Sequence, residues 1–400
     1  MRSIGHRIFL AVYCAAMLTA CSGSGGTPTA PIPSGASTTQ APTPVATATA
    51  TSTASVTPTP RGSPTVSPTA TATATPTAAP TPTATPAALC DFPIVEIALP
   101  AGSAPNYIVG GPDGALWFTE GGTNKIGRMT TAGTLTEYPI PTASSDPFGI
   151  AVGSDGALWF TEYNAGKIGR ITTTGNITEY GGGLARTGFD RPWTIAAGPD
   201  DALWFTDYET GAVGRIPTSG GTATEYSVPG EGAEGTDREP YGLVAGPDGA
   251  LWITDFLGYI DRMTTSGTVT NHIAIGSSEP DEIATGPGGA LWFTLSFQYA
   301  IGRITTAGSA TFDPTPQIDA RSYSNGIALG PDGAMWFALN ASAIGRITAT
   351  GTVNECPTPT QIPDGTVLPF GMARGSDGGM WFTENEGNKI GHIVRETSAG

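Results

Sequence analysis

Three residues beyond each of seven recurring tryptophans stands one of Glu120, Glu162, Asp207, Asp255, Leu295, Leu339 and Glu384. A carboxylate can move a proton, hold a divalent cation, or accept a hydrogen bond from a backbone amide at a strand end. Its repetition in most copies favours the last, structural role. A second recurring set follows the proline, or its equivalent, that opens each copy: Asn106, Phe148, Trp193, Tyr241, Asp281, Asn325 and Phe370. Four aromatic rings beside two amides and a carboxylate suit a pocket with stacking walls and polar anchors. Singly, a ring more readily suits a plug at the top of the central channel. Glu384, Asp281 and Asn325 carry oxygens of the kind that bind Mg²⁺ or Ca²⁺, and Glu384 and Asp281 are the candidates for proton transfer.

These positions depend on a repeat. The tryptophans stand at 117, 159, 204, 252, 292, 336 and 381, at the 40- to 48-residue spacing of four-stranded propeller blades. No copy has a helix-period apolar stripe, and Gly-Pro-Asp-Gly turns punctuate the chain. The fold expected is all-β, a seven-bladed β-propeller of four-stranded blades over residues 90–397, with the tryptophans in the core between blades. In the second copy Pro147 to Val152, Ala157 to Glu162, Lys167 to Thr172 and Asn176 to Tyr180 are the strands, and Thr174-Gly175 reads as a two-residue hairpin. That turn sets Arg170 opposite Glu179, and likewise Arg128 opposite Glu137 and Arg346 opposite Glu355. The last copy lacks a fourth strand, and Ile94 to Pro100 has the pattern to supply it. An N-terminal strand then closes the last blade and sets Glu96 opposite His392, which fills an arginine place.

Because first and second strands run antiparallel, the residues after the opening prolines share one face with the residues three beyond the tryptophans. That face is where a small-molecule or peptide ligand is expected, in a central funnel. Of the three histidines, His6 is N-terminal, His272 lies in a fourth strand and His392 in a third, and each reads as structural.

The first 89 residues hold no Asp or Glu and three of the 18 basic residues, so all 34 acidic residues fall in the rest. So acidic a domain argues against a nucleic-acid partner. Arg2 and Arg7 precede the apolar run Ile8 to Ala20, and Leu18-Thr19-Ala20-Cys21 has the form of a lipobox. Residues 1–20 therefore read as a lipoprotein signal peptide, Cys21 as the lipidated residue, and residues 21–89, rich in Thr, Pro and Ala, as a disordered stalk. The expected protein is exported, monomeric, and bound to a bacterial membrane through lipid alone. Cys90 and Cys356 remain as two thiols that could pair.

The strings Gly-Pro-Asp-Gly, Leu-Trp-Phe-Thr-Glu, Lys-Ile-Gly-Arg-Ile-Thr and Thr-Glu-Tyr-Pro-Ile-Pro resemble those of the streptogramin B lyase family, also called virginiamycin B lyases, from residue 92 to about 393. The resemblance implies a propeller that opens a cyclic depsipeptide by elimination, with Mg²⁺ as cofactor and a pair of catalytic histidines just after the opening proline of the last two blades. Here those two places hold Asn325 and Phe370, and Leu368 stands at the family's Glu. Neither Asn nor Phe abstracts a proton near neutral pH. The residues favour a binding module. The alternatives are a Mg-dependent lyase, a metal-dependent hydrolase working through carboxylates, and a structural cell-surface propeller.

Overall fold

The computed structural model describes residues 92–181, 191–228, 238–276, 279–296, 300–314, 324–339, 342–360 and 369–394. The expected signal peptide, lipidated Cys21 and stalk lie outside them, as do Cys90 and Leu368. Seven four-stranded antiparallel sheets follow one another in chain order. Blade 2 is typical: Pro147–Val152, Leu158–Glu162, Lys167–Ile171 and Ile177–Tyr180. Blade 7 takes its first three strands from Pro369–Arg374, Met380–Glu384 and Lys389–Ile393. Its fourth is Ile94–Ala98, which pairs Ile94 with Ile393 and Ala98 with Lys389. The ring thus closes by joining the two ends of the propeller, and the third strand of blade 7 is not left as an exposed edge.

Each marker tryptophan is buried against the next blade. Trp117 packs with Ile150, Leu158 and Phe160 of blade 2, and Trp159 with Ile195, Leu203 and Phe205 of blade 3. Trp381 packs with Ile108, Leu116 and Phe118, so blade 7 seals on blade 1. The Gly-Pro-Asp-Gly turn satisfies the one polar atom of the indole. Asp155 Oδ1 accepts from Trp159 Nε1 at 3.1 Å and from the Ala157 amide, and its Oδ2 accepts from Arg170 Nε at 2.7 Å. The Arg170 guanidinium lies 5.9 Å from the Trp159 ring centre. Blades 1, 3, 4 and 6 repeat the unit with Asp113, Asp200, Asp248 and Asp332. In blade 7 His392 stands in for the arginine, stacked on Trp381 at 3.9 Å and 3.1 Å from Asp377. Blade 5 breaks the unit: Gly288 replaces the aspartate, and Trp292 Nε1 is buried with no partner.

This unit corrects the expected charge pairs. Between the third and fourth strands the chain turns through Thr173-Thr174-Gly175, with Thr172 N bonded to Asn176 O and Gly175 at φ +91°. The loop has three residues where the sequence suggests two, and one extra residue shifts the register by one. Arg170 therefore faces Thr178 and Glu179 faces Gly169; Arg128 faces Thr136 and Arg346 faces Asn354. The arginines bond the turn aspartates, while Glu137 and Glu179 reach the lysine that starts the third strand, Lys125 to Glu137 at 3.1 Å and Lys167 to Glu179 at 3.2 Å; in blade 6 Ala343 stands at the lysine's place. Glu96 likewise faces Gly391 and not His392, and bonds Lys389 and Thr360. Cys356 is in a disulfide; Cys90, the partner expected for it, lies outside the described residues.

At the same lysines a second carboxyl is buried. Glu120, Glu162 and Glu384 end their second strands next to Lys125, Lys167 and Lys389. One lysine cannot balance two carboxylates out of water. Burial, with the neighbouring glutamate adding to it, pushes each of these three inner carboxyls up to about 7. A group raised in the folded state stabilises it fully below its unfolded value and loses that contribution as pH rises through the folded one. The melting temperature should therefore fall between pH 5 and pH 8, and Glu162→Gln should flatten that slope; a melting temperature that rises across this interval contradicts the assignment. Asp155→Ala strands the Trp159 donor and should cost about 1–3 kcal/mol in urea unfolding, by the loss of a buried hydrogen-bond acceptor.

Candidate functional site

In every blade the residue that opens the first strand pairs with the residue that ends the second. Pro147 faces Glu162, Pro192 faces Asp207, Pro280 faces Leu295 and Pro369 faces Glu384. The two recurring sets of the sequence therefore do meet at one end of the blades. All seven residues after the opening position are buried, Asn106 and Phe148 completely and Phe370 to 6% exposure. Four of them interlock as an arc of rings. Phe370 and Phe148 lie 5.5 Å apart, each about 5 Å from the Tyr107 ring; Phe148 meets Trp193 at 3.8 Å and Trp193 meets Tyr241 at 5.0 Å. A second tier comes from Tyr163, Tyr208 and Phe256, packed on Trp193 and Tyr241. Sequence reasoning missed this tier, although each member directly follows the acidic residue beyond a marker tryptophan. Arg191 caps it, bonded to Tyr163 Oη at 2.9 Å and 3.4 Å from Glu209. Trp193 Nε1 is buried in the arc without a hydrogen-bond partner.

The polar members are tied to the scaffold. Asn106 Nδ2 donates to Pro147 O and Asn325 Nδ2 to Pro369 O, each at 3.1 Å and each across to the next blade. Asn106 Oδ1 accepts from Asn385. Asp281 is bonded to Ser296 Oγ at 3.3 Å, and burial pushes its carboxyl up to about 7. Glu384 faces the other way, toward Lys389 and Glu96 on the outer strands. The proposed trio Glu384, Asp281 and Asn325 is thus divided among three sets of neighbours. Among the described residues no three His, Cys, Asp or Glu side chains are grouped to hold a metal ion, and the residues at the family's histidine places, an amide committed to a carbonyl and a phenyl ring, do not fit Mg²⁺ chemistry. Of the other acidic residues, Asp207 and Asp255 do bond backbone amides at the strand end, of Thr210 and Leu257. Asp255 also pairs with buried Arg238 at 2.8 Å, and Arg238 reaches His272, which is held by Asp261. His272 and His392 are therefore both occupied on outer strands.

Beneath the arc, on the axis, lies a cavity of about 130 Å³. Its polar wall is Tyr107, Thr194 and Glu282, each two residues beyond an opening proline, a position that sequence reasoning passed over because glycine fills it in the other four blades. Tyr107 Oη and Thr194 Oγ1 both donate to Glu282 Oε1, the latter at 3.1 Å. Burial pushes the Glu282 carboxyl up to about 8.

The description of the virginiamycin B lyase family matches residues 88–235 and 189–399 of the chain. A streptogramin B lyase structure is 32% identical, with a TM-score of 0.68, and covers 76% of this chain and 97% of that one. The virginiamycin B lyase of Staphylococcus aureus is 33% identical at the same TM-score, over 76% of this chain and 100% of its own. Its catalytically inactive variant with quinupristin gives 32%. The WD40 propeller of Doa1, 9% identical at a TM-score of 0.61, shares the fold alone. No curated protein sequence matches. Seven blades, the repeated strings and these matches over the whole propeller place the chain in the virginiamycin B lyase family.

Proposed function

We propose that the chain is an exported, lipid-anchored propeller that binds a small molecule or peptide over its aromatic arc and does not perform the family's elimination. The observation that supports this reading is the pair of places where family members carry their histidines. Asn325 has its amide spent on Pro369 O, and Phe370 is packed among Tyr107 and Phe148. Elimination needs a base to take the α-proton and an acid for the leaving oxygen. Neither side chain can be either. His272 and His392, the histidines among the described residues, are bound to Asp261 and Asp377 on the outer strands, out of line with the funnel. The buried rings form the floor, half-buried Tyr208 supplies stacking surface over them, and Arg191 and Glu209 supply polar anchors.

Quinupristin incubated with the full-length chain and Mg²⁺ should keep its lactone intact by mass spectrometry, and the linear elimination product at an enzymatic rate would overturn the reading. Binding is measured separately, by quenching of tryptophan fluorescence with the same compound; a saturable signal lost in Trp193→Ala is expected from the arc. Anchoring has its own test. Cys21→Ala should move the protein from membranes to the soluble fraction, because the stalk composition and the acidic propeller offer no other attachment. Retention on membranes after a high-salt wash would remove the lipid anchor from the proposal.

A further inference from the structure

Two residues beyond the opening position, Gly149, Gly242, Gly326 and Gly371 let adjacent first strands close up. A Cβ on Gly326 would lie 2.4 Å from Phe370 O, and one on Gly149 2.7 Å from Trp193 O. Blades 1, 3 and 5 carry side chains there instead, Tyr107, Thr194 and Glu282. They converge on the axis from three alternate blades. Tyr107 Oη and Thr194 Oγ1 are 3.5 Å apart, and both bond the same carboxyl oxygen of Glu282. The rest of the wall is apolar, from Ile195, Leu243, Ile327 and Met372. The cavity's 130 Å³ is room for a few water molecules or one small organic group.

Among the described residues, no cation is bonded to Glu282. Tyr107 is the one ionisable side chain bonded to it, and the others on the seven first strands are Tyr241, Glu279, Asp281 and Arg374, with Asp281 turned to Ser296. Isolated from positive charge, the carboxyl stays protonated near neutral pH. A buried acid with two hydroxyls gathered on it, beside open volume and without a counter-charge, is a receptor for a donor that brings its own charge.

We propose that the axial cavity binds a primary ammonium group, whose three N–H bonds go to the Glu282 carboxylate, Tyr107 Oη and Thr194 Oγ1 while a short alkyl chain lies on the apolar wall. Three oxygens match the three donors of an ammonium. Mg²⁺ or Ca²⁺ takes six or more oxygens and would need added waters against the apolar wall to fill its shell. An alkylamine is protonated below about pH 10, like lysine, so binding converts a neutral acid and a cation into an ion pair and releases one proton to solvent. This site borrows the hydroxyl of Tyr107, whose ring packs on the arc at Phe148 and Phe370, but its carboxyl lies beneath the rings, and it stands whatever the streptogramin experiment finds.

The test is calorimetric titration of the full-length chain with ethylammonium chloride, in two buffers of different protonation enthalpy. Saturable binding at one site should release close to one proton at pH 7, and affinity should rise about tenfold from pH 6 to pH 7, the linkage expected for one proton. Glu282→Gln keeps the shape of the neutral acid and should lose about tenfold or more in affinity, as expected for removing a buried charge partner. Tyr107→Phe should lose less, and both variants should melt near the wild type. Tetramethylammonium, which has no N–H, should not bind. Absence of saturable ethylammonium binding, equal binding by Glu282→Gln, or equal binding of tetramethylammonium overturns the proposal.

Discussion

Seven sheets can share an axis only if the backbones of their innermost strands come close to one another, and at five of the seven seams a single threonine hydroxyl bridges them. In blades 1, 2, 3, 4 and 7 the threonine two residues beyond the marker tryptophan accepts from the amide two residues beyond its own blade's opening position and donates to a carbonyl of the next blade, whereas Thr294 of blade 5 bonds Glu282 of its own blade and blade 6 has Ala338 there. Thr119 accepts from Tyr107 N and donates to Phe148 O at 2.6 Å; Thr161 accepts from Gly149 N and donates to Trp193 O at 2.8 Å. Thr206 repeats the link to blade 4 and Thr254 to blade 5, and Thr383 donates to Asn106 O, carrying it from blade 7 back to blade 1. The same carbonyls belong to the residues expected to face a ligand. Their side chains are buried in part because their backbones are the seam between blades.

Around this seam the blades differ where the chemistry differs. Six blades place a phenylalanine on the second strand opposite a glycine on the third, and a Cβ on that glycine would fall about 2 Å from the ring, as at Gly169 and Phe160. Blade 4 instead has Ile253 opposite Asp261. The smaller side chain leaves room for a buried carboxylate, which holds His272 at 2.7 Å, and through it Arg238 and Asp255. Two substitutions in register thus exchange an apolar contact for a chain of charges, and Arg238 gains 4.9 Å packing over Tyr259. Blade 5 departs in other ways, with Leu295 for the acid, Gly288 for the turn aspartate and Glu282 at the axis. Blades 1, 2, 3, 4 and 7 bury an acid at the end of the second strand; blade 5 has none there and buries Glu282 at the centre instead.

Charge explains why so acidic a propeller tolerates these groups. The turn aspartates are pulled up by burial but are held below the usual carboxylate range by the Trp indole and the Arg guanidinium. The inner carboxyls next to the lysines, and Asp281 and Glu282 on the first strands, have too few partners, and burial pushes them up to about 7 or 8 instead. Ionised surface acids and protonated buried ones coexist because desolvation penalises only the charged form.

Seven tryptophans at a blade's spacing, glycine turns between alternating strands, and a missing fourth strand at one end matched by a spare strand at the other were legible in the sequence, because a repeat declares its own period and its own incompleteness. The absence of histidine at 325 and 370 was legible for the same reason. Register was not, since one residue hidden in a Thr-Thr-Gly loop moved every arginine from the glutamate it was expected to face to the turn aspartate. Nor was burial: a ring at Phe148 or Trp193 has the same composition as a wall or a plug, and its exposure depends on neighbours from two other blades. The axial cluster was the least visible, with Tyr107, Thr194 and Glu282 lying 87 and 88 residues apart along the chain. Only closing the ring brings alternate blades to one point, so their meeting is a property of the circle and not of any repeat within it.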